Sequence, residues 1–386
     1  MYYLLLLISR NVFRHPLRTL LTTVGIIVAI TAFGLLRTTV EAWYSGVEAS
    51  SSSRLITRNK NSLTFTLPLH YLSKIKGVEG VSEVSYADWF GGIYIDKKNF
   101  FPQFSVDART YFKLYPEFVI PPDQMKAFLL DRRGVIAGRK VVEKYGWKIG
   151  DQIPIQGTIY QGTWSFVLRG IYEGATTKID QTQFFFHWDY LNETMKKVAP
   201  AKSNRVGIYV VEIHNPDDAP LVAQRIDKLF RNSFAETLTE TEKAFQLSFV
   251  SMTEAILVVI EVVSFLVIAI IMAVMANTMA MTARERKREY ATLKALGFSG
   301  RFIAALILGE SMLLSLTAGA AGIVCIYPTA HYVGAKFGTL FPIFNVSDHT
   351  VWMAAIAALC VGVVAALVPA WRSATISVSA GMREVA

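Results

Sequence analysis

The sequence predicts an α-helical membrane protein, with four transmembrane helices and a large α+β extracytoplasmic domain. That domain stands on helical stalks between the first and second spans. Three observations predict this. The 386 residues are 52% hydrophobic and only 18% charged, where an ordinary soluble domain has about a quarter of its residues charged. The apolar excess is gathered into four runs free of Asp, Glu, Lys and Arg: Thr19 to Leu36, Val262 to Ala283, Ser311 to Ala335 and Thr350 to Trp371. Each approaches or exceeds the roughly 20 residues that carry a helix across a bilayer. The first is slightly short, but flanking Arg18 and Arg37 can snorkel.

The third observation is where the basic residues fall. Arg10, Arg14 and Arg18 precede the first run, a basic cluster and Arg301 separate the second from the third, and Arg372 and Arg383 follow the fourth. Between the third and fourth runs Lys336 is the only Lys or Arg. The positive-inside rule then puts both termini and the connector of the second and third spans in the cytoplasm, with residues 43–250 outside. The net charge of +9 is accounted for by this topology, which sets aside a nucleic-acid partner.

The chain therefore divides in order. Residues 1–16 read as an amphipathic N-terminal helix on the inner membrane face, because Tyr2 to Ile8 lack both a preceding basic region and a cleavage site. Residues 17–42 are the first span and the start of a stalk, and 43–250 the large domain and second stalk. Residues 251–283, 301–335 and 350–371 are the remaining spans, joined by a short charged helix at 284–300 and an outside loop at 336–349. Residues 372–386 form a cytoplasmic tail.

Within the large domain, Leu63 to Leu67 alternates like a strand, Leu69 to Lys76 reads as a helix, and Val84 to Tyr86 as the next strand. A smaller section at about 127–190 carries Gly134 to Gly138, a helix over Arg139 to Tyr145, and strand-like Ser165 to Ile171 and Thr182 to Trp188. A strand over Val206 to Ile213 and a helix from Ala219 to about Phe230 follow. Ala235 to Val250 has neither Gly nor Pro and reads as a stalk running unbroken into the second span. Cys325 and Cys360 both lie in apolar runs, so the large domain must hold together by packing alone. The run Phe184-Phe185-Phe186-His187-Trp188 is open to two readings, a site for an apolar substrate or a strand buried on both faces.

Signatures of catalysis are missing. There is no Gly-x4-Gly-Lys-Ser/Thr phosphate loop, no Gly-x-Ser-x-Gly elbow, and no His or Cys spacing suited to a metal. Two acidic residues border on the apolar runs. Glu261 reads as solvated near the outer interface, whereas Glu310 lies well into the third span, as a helix contact, a polar-cavity residue or a transport residue.

The most distinctive stretch is Arg284-Glu285-Arg286-Lys287-Arg288-Glu289, followed by Tyr290, Leu293, Lys294, Leu296 and Gly297. It alternates charge and then places Tyr290, Leu293 and Leu296 at helical spacing, with Gly297 as a left-handed stop. On its own it is either an ordinary positive-inside loop or a helix shaped for a partner protein.

Together with Leu17 to Ile27, Val135 to Gly138, Gly146 to Asp151, the Glu310-Ser311 stretch with Gly319 and Gly322, and Pro369-Ala370-Trp371-Arg372, this stretch resembles the MacB/FtsX-like permeases of ABC transporters. Trp371 departs from the Arg usual in the last motif. The resemblance runs through the whole chain in order. It implies that 284–300 is the coupling helix held by an ATPase on a separate chain, and that Gly319, Gly322 and Pro369 serve span packing or function. It also implies a non-catalytic subunit of the bacterial inner membrane, paired with a second permease copy and two ATPases that bind ATP and magnesium. Mechanotransmission would then drive efflux through a periplasmic adaptor and outer-membrane channel. The alternatives are control of a cell-wall hydrolase, FtsX-like, and lipoprotein release, LolC/E-like.

Overall fold

The computed structural model describes residues 11, 14–251, 253–337 and 343–376. The N-terminal helix expected over residues 1–16 and most of the C-terminal tail fall outside them. The chain forms two compact units, one built on the four long helices and one from residues 43–253.

The first long helix, α1 (Pro16–Ala49), contributes to both units, with Pro16 at its start, where a missing N–H costs nothing. The large domain then runs β1 (Arg54–Asn59), β2 (Leu67–Pro68), α2 (Tyr71–Lys76), β3 (Val81–Trp89), β4 (Gly92–Ile93), β5 (Gln103–Val106), α3 (Tyr111–Leu114) and β6 (Phe118–Val119). It continues through α4 (Pro122–Leu130), β7 (Gly134–Gly138), α5 (Arg139–Tyr145), β8 (Gln152–Gly157), β9 (Gly162–Gly174), β10 (Phe184–His187) and α6 (Trp188–Val198). Last come β11 (Arg205–Val206), β12 (Ile208–Ile213), α7 (Ala219–Leu229), β13 (Thr237–Thr241) and α8 (Glu242–Ser251).

One mixed sheet organises the domain, in the order β13-β1-β12-β3-β5-β10-β7-β9-β8-β4, with β6 added against β9. The pairs β5–β10 and β7–β9 are parallel, and the other pairs of this sheet are antiparallel. The section at about 127–190 is therefore not a separate sheet: β7, β8, β9 and β10 continue the one begun by β1 and β3.

Strand β10 settles the aromatic run. Phe184, Phe185 and Phe186 are all fully buried, between β5 and β7. Phe184 and Phe186 pack with Trp147, Trp164 and Phe166, while Phe185 points the other way into Tyr111, Tyr172 and Phe128. This is a strand buried on both faces, and each such ring contributes about 1.5–3 kcal/mol relative to exposure.

Two sequence expectations are corrected here. Leu63 to Leu67 is not a strand beyond Leu67 itself, and the strand preceding it is β1, which is buried on both faces and so shows no alternation of polar and apolar residues. Ala235 to Val250 is not a continuous helical stalk. Thr237 to Thr241 pairs as an edge strand with β1, and helix begins only at Glu242. The β-branched threonines suit a strand, and Thr57 and Thr239 exchange a hydrogen bond across the pair at 2.9 Å.

The membrane unit holds α1 with α9 (Glu254–Glu285), α10 (Lys287–Ala295), α11 (Gly300–Phe337) and α12 (Asp348–Thr375). The four long helices among these are each long and apolar enough to cross a membrane. Small residues bring α11 and α12 together. A Cβ on Gly319 would meet the Ala358 Cβ at 2.5 Å, Ser311 donates to the Gly362 carbonyl at 2.6 Å, and Ser315 donates to the Ala358 carbonyl. Gly322 faces α1 instead, where a Cβ would lie 2.9 Å from Ile30. Pro369 is buried inside α12.

One buried acid gives the large domain a pH dependence. Asp88 on β3 accepts a hydrogen bond from the Tyr160 hydroxyl, and burial pushes its carboxyl up to about 7. The folded domain thus holds a proton between about pH 4 and 7 that the unfolded chain has released, so stability falls as pH rises through that window. Asp88→Asn removes its share of this slope and leaves that of Asp180, whose carboxyl burial also raises. Protection of β3 amides against hydrogen exchange in the full chain, taken relative to the intrinsic exchange rates, is expected to weaken from pH 5 to pH 8 in the wild type and to weaken less in the variant. The difference is on the order of 4 kcal/mol at most.

Candidate functional site: the connector of the second and third spans

The charged stretch Arg284 to Gly297 is divided by the structure. Arg284 and Glu285 are the last residues of α9, the chain bends at Arg286, and α10 occupies only Lys287–Ala295. Its end is a Schellman motif: the Gly297 N–H donates to the Lys294 carbonyl at 3.0 Å and the Phe298 N–H to the Leu293 carbonyl at 3.1 Å. Gly297 sits at φ +94°, a conformation that glycine adopts without a Cβ penalty.

At the bend, the Arg286 guanidinium turns inward. Nη1 donates to Glu310 Oε1 at 2.7 Å and Nε to Glu289 Oε2 at 2.9 Å, and the group lies 5.3 Å from the centre of the Tyr290 ring. Asn11 Nδ2 donates to the same Glu310 oxygen at 2.6 Å. Glu310 is therefore a buried helix contact, tied to the connector through Arg286. Burial alone would raise the Glu289 carboxyl, but hydrogen bonds from Arg286 and Arg14 outweigh it and hold the group below the usual carboxylate range.

A second set of contacts clasps the connector to the start of α1. Arg18 donates from both Nη atoms to Glu285, at 2.8 and 2.7 Å, and Arg14 donates to Glu289. Two cations four residues apart thus match two carboxylates four residues apart in antiparallel order. Arg37, at the other flank of the first apolar run, likewise has an acidic partner, Glu261 at 2.6 Å. The Glu261 carboxylate is thus ion-paired rather than merely solvated.

The apolar side of α10 is anchored by Tyr290, buried with Ile303, Leu306, Ile307, Ala366 and Ala370, with Leu293 at the margin. Lys294 is also turned to the chain itself. Its ammonium donates to the carbonyls of Ala374 and Ile376, both at 2.7 Å, capping the C-terminal end of α12 and complementing its dipole. The start of α11 closes on the same point, where a Cβ on Gly300 would come 2.5 Å from the Ala374 oxygen.

Of the residues singled out in the sequence, Arg286, Glu289, Leu293 and Lys294 thus serve the internal framework, and Glu285 the clasp. Lys287 is half-buried, while Arg284, Arg288, Leu296 and Gly297 are exposed. Leu296 is 72% exposed, and beside it Phe298 is 43% exposed with its ring 4.8 Å from that of Phe302. Asn11 carries no signal in the sequence, and Arg14 and Arg18 are read there for topology rather than as partners of the connector. The matching four-residue spacing of the Arg and Glu pairs was the available signal for the clasp. Among the described residues no group of His, Cys, Asp and Glu could hold a metal.

Comparison with known proteins places this geometry. Residues 19–229 match the MacB-like periplasmic core domain, and residues 261–378 match the FtsX-like permease C-terminal family. The chain belongs to the MacB/FtsX-like ABC transporter permeases. An uncharacterized ABC transporter permease of Methanocaldococcus jannaschii, MJ1507, is 25% identical over 95% of this chain and 94% of its own length. The periplasmic region of MacB from Actinobacillus actinomycetemcomitans aligns at 8% identity and TM-score 0.39, covering 53% of this chain and 95% of that one. The extracellular domain of the noncanonic ABC-type transporter YknZ from Gram-positive bacteria aligns at 13% identity and TM-score 0.35, covering 49% and 98%. An ABC permease works with an ATPase, so this MacB/FtsX-like chain has an ATPase partner.

The buried pair at the bend makes a specific demand. Arg286→Met strands the Glu310 carboxylate and is expected to cost about 3–5 kcal/mol. The double replacement Arg286→Met with Glu310→Met should recover most of that loss. Thermal unfolding of the detergent-solubilised full chain, run as a double-mutant cycle, checks both values.

Proposed function

We propose that this chain is the permease subunit of an exporter in which a separate ATPase drives movement of the large domain. The observation that carries the reading is the tip of the connector. Leu296 and Phe298 project from a short helix whose other faces are fixed to the spans by Arg286–Glu310, the Arg14 and Arg18 clasp and Lys294. An exposed apolar tip on a rigidly held helix is suited to sit in a partner's cleft and to pass force rather than absorb it. Exposed Arg284 and Arg288 rim the same connector and would steer an acidic surface toward it.

In this reading the connector and both termini are cytoplasmic, the protein lies in the bacterial inner membrane, and the large domain is outside. Two permease copies carry two ATPases, which bind ATP and magnesium, and the permease itself is non-catalytic. The cargo is taken from the periplasm or the outer leaflet, with a periplasmic adaptor and outer-membrane channel as onward partners.

The test uses the full chain with its cognate ATPase. Leu296→Asp and Phe298→Asp are each expected to weaken co-purification at least tenfold and to uncouple ATP hydrolysis from the permease. Val198→Asp, at an exposed apolar position of the large domain, should leave both unchanged. Normal assembly and coupling in the two connector variants would sink the proposal.

A further inference from the structure

A cavity of about 180 Å³ opens within the large domain. That is slightly more than the roughly 150 Å³ of an engineered apolar cavity that accepts benzene, so it has room for one ring or one compact branched chain. One wall is aromatic, formed by Phe104, Tyr111, Tyr115 and Phe118, and Phe245 of α8 adds a further ring. The cavity is not wholly apolar, however. Arg54, Glu117, Asp180 and Glu242 also line it.

The charges do not cancel. Arg54 is fully engaged: Nε donates to Glu242 at 2.9 Å, Nη2 donates to Glu117 at 2.5 Å, Nη1 donates to the Leu114 carbonyl at 2.7 Å, and the guanidinium covers the Tyr115 ring at 4.2 Å. One cation thus answers two carboxylates. Lys178, also in the lining, reaches Glu48 at 2.8 Å. Asp180 is held by neutral donors, the Thr182 N–H and hydroxyl at 2.7 Å each and Gln183 Nε2 at 3.2 Å. Burial raises the Asp180 carboxyl, and the nearby Lys140 ammonium, itself partly withdrawn from solvent, acts against that rise. The result is a ring-lined pocket in which three carboxylates, Glu117, Asp180 and Glu242, outnumber two cations, Arg54 and Lys178, an arrangement that favours a cation over an anion.

We infer that this cavity binds a small aromatic or branched-alkyl ammonium, its apolar body against Tyr111, Tyr115 and Phe118 and its ammonium toward Asp180. The site also touches Gly46, Ala49 and Ser50 at the end of α1 and Gln246 of α8. An occupant therefore contacts the helix by which the chain enters the domain and the one by which it leaves. The inference does not depend on the permease reading, because binding is measured on this chain alone.

Isothermal titration of the full chain in nanodiscs with phenethylammonium tests it, against neutral 2-phenylethanol and anionic phenylacetate. Saturable binding of the ammonium is expected, at least tenfold tighter than either comparison ligand. Asp180→Asn should lower its affinity at least tenfold, and Gln246→Trp, which fills the cavity from α8, should abolish binding without touching the Asp180 hydrogen bonds. If Asp180→Asn does not fold, Gln246→Trp decides. Equal affinity for the three ligands, wild-type binding by Gln246→Trp, or no saturable binding at millimolar phenethylammonium overturns the proposal.

Discussion

The buried pair of Arg286 with Glu310 is the constraint on which the membrane unit turns. A carboxylate well inside an apolar helix is costly unless a cation meets it. Here the cation comes from the bend between α9 and α10, so the position of the connector is tied to the electrostatics of α11. Everything nearby respects that tie. Tyr290 fills the space beside the guanidinium, Glu289 accepts from its Nε, and Arg14 and Arg18 close the acidic residues from the α1 side. Lys294 then fixes the far end of α10 to the terminal carbonyls of α12. A helix of nine residues would be marginal in isolation, and these contacts give it one position.

The large domain solves a different problem. Without a cysteine in this region, it relies on one long sheet with aromatic residues packed on both faces. The three consecutive phenylalanines of β10 show how this works, because alternate rings fill two separate clusters. Where the packing ends, near α3 and α8, the same aromatic wall is left facing a cavity with carboxylates beside it. Packing and candidate recognition thus draw on the same side chains.

Much of this was legible in the residues, and the exceptions have physical causes. The four spans, β7, α5 and α7 were readable because long apolar runs and helical periodicity are local signals. Strand β1 was not, since a strand flanked on both edges and buried has no alternating pattern to distinguish it from loop. Thr237 to Thr241 looked like part of a helix because it lacks Gly and Pro, and only its pairing with β1 makes it a strand. In the connector, charge composition marked the right stretch but could not say which charges face inward.

What the sequence determined by itself is therefore the architecture: four spans, a large α+β domain between the first two, and a charged connector between the second and third. Bilayer thickness and hydrophobic periodicity act along the chain, so they can be read along it. The tertiary structure alone decided how the connector divides its residues between framework and surface. Arg286, Glu289 and Lys294 have the composition of a docking face, yet each finds its partner on the chain itself, and Leu296 with Phe298 is left exposed. That division depends on Glu310, Arg14 and the end of α12, which are distant in sequence and meet α10 only when the helices have packed.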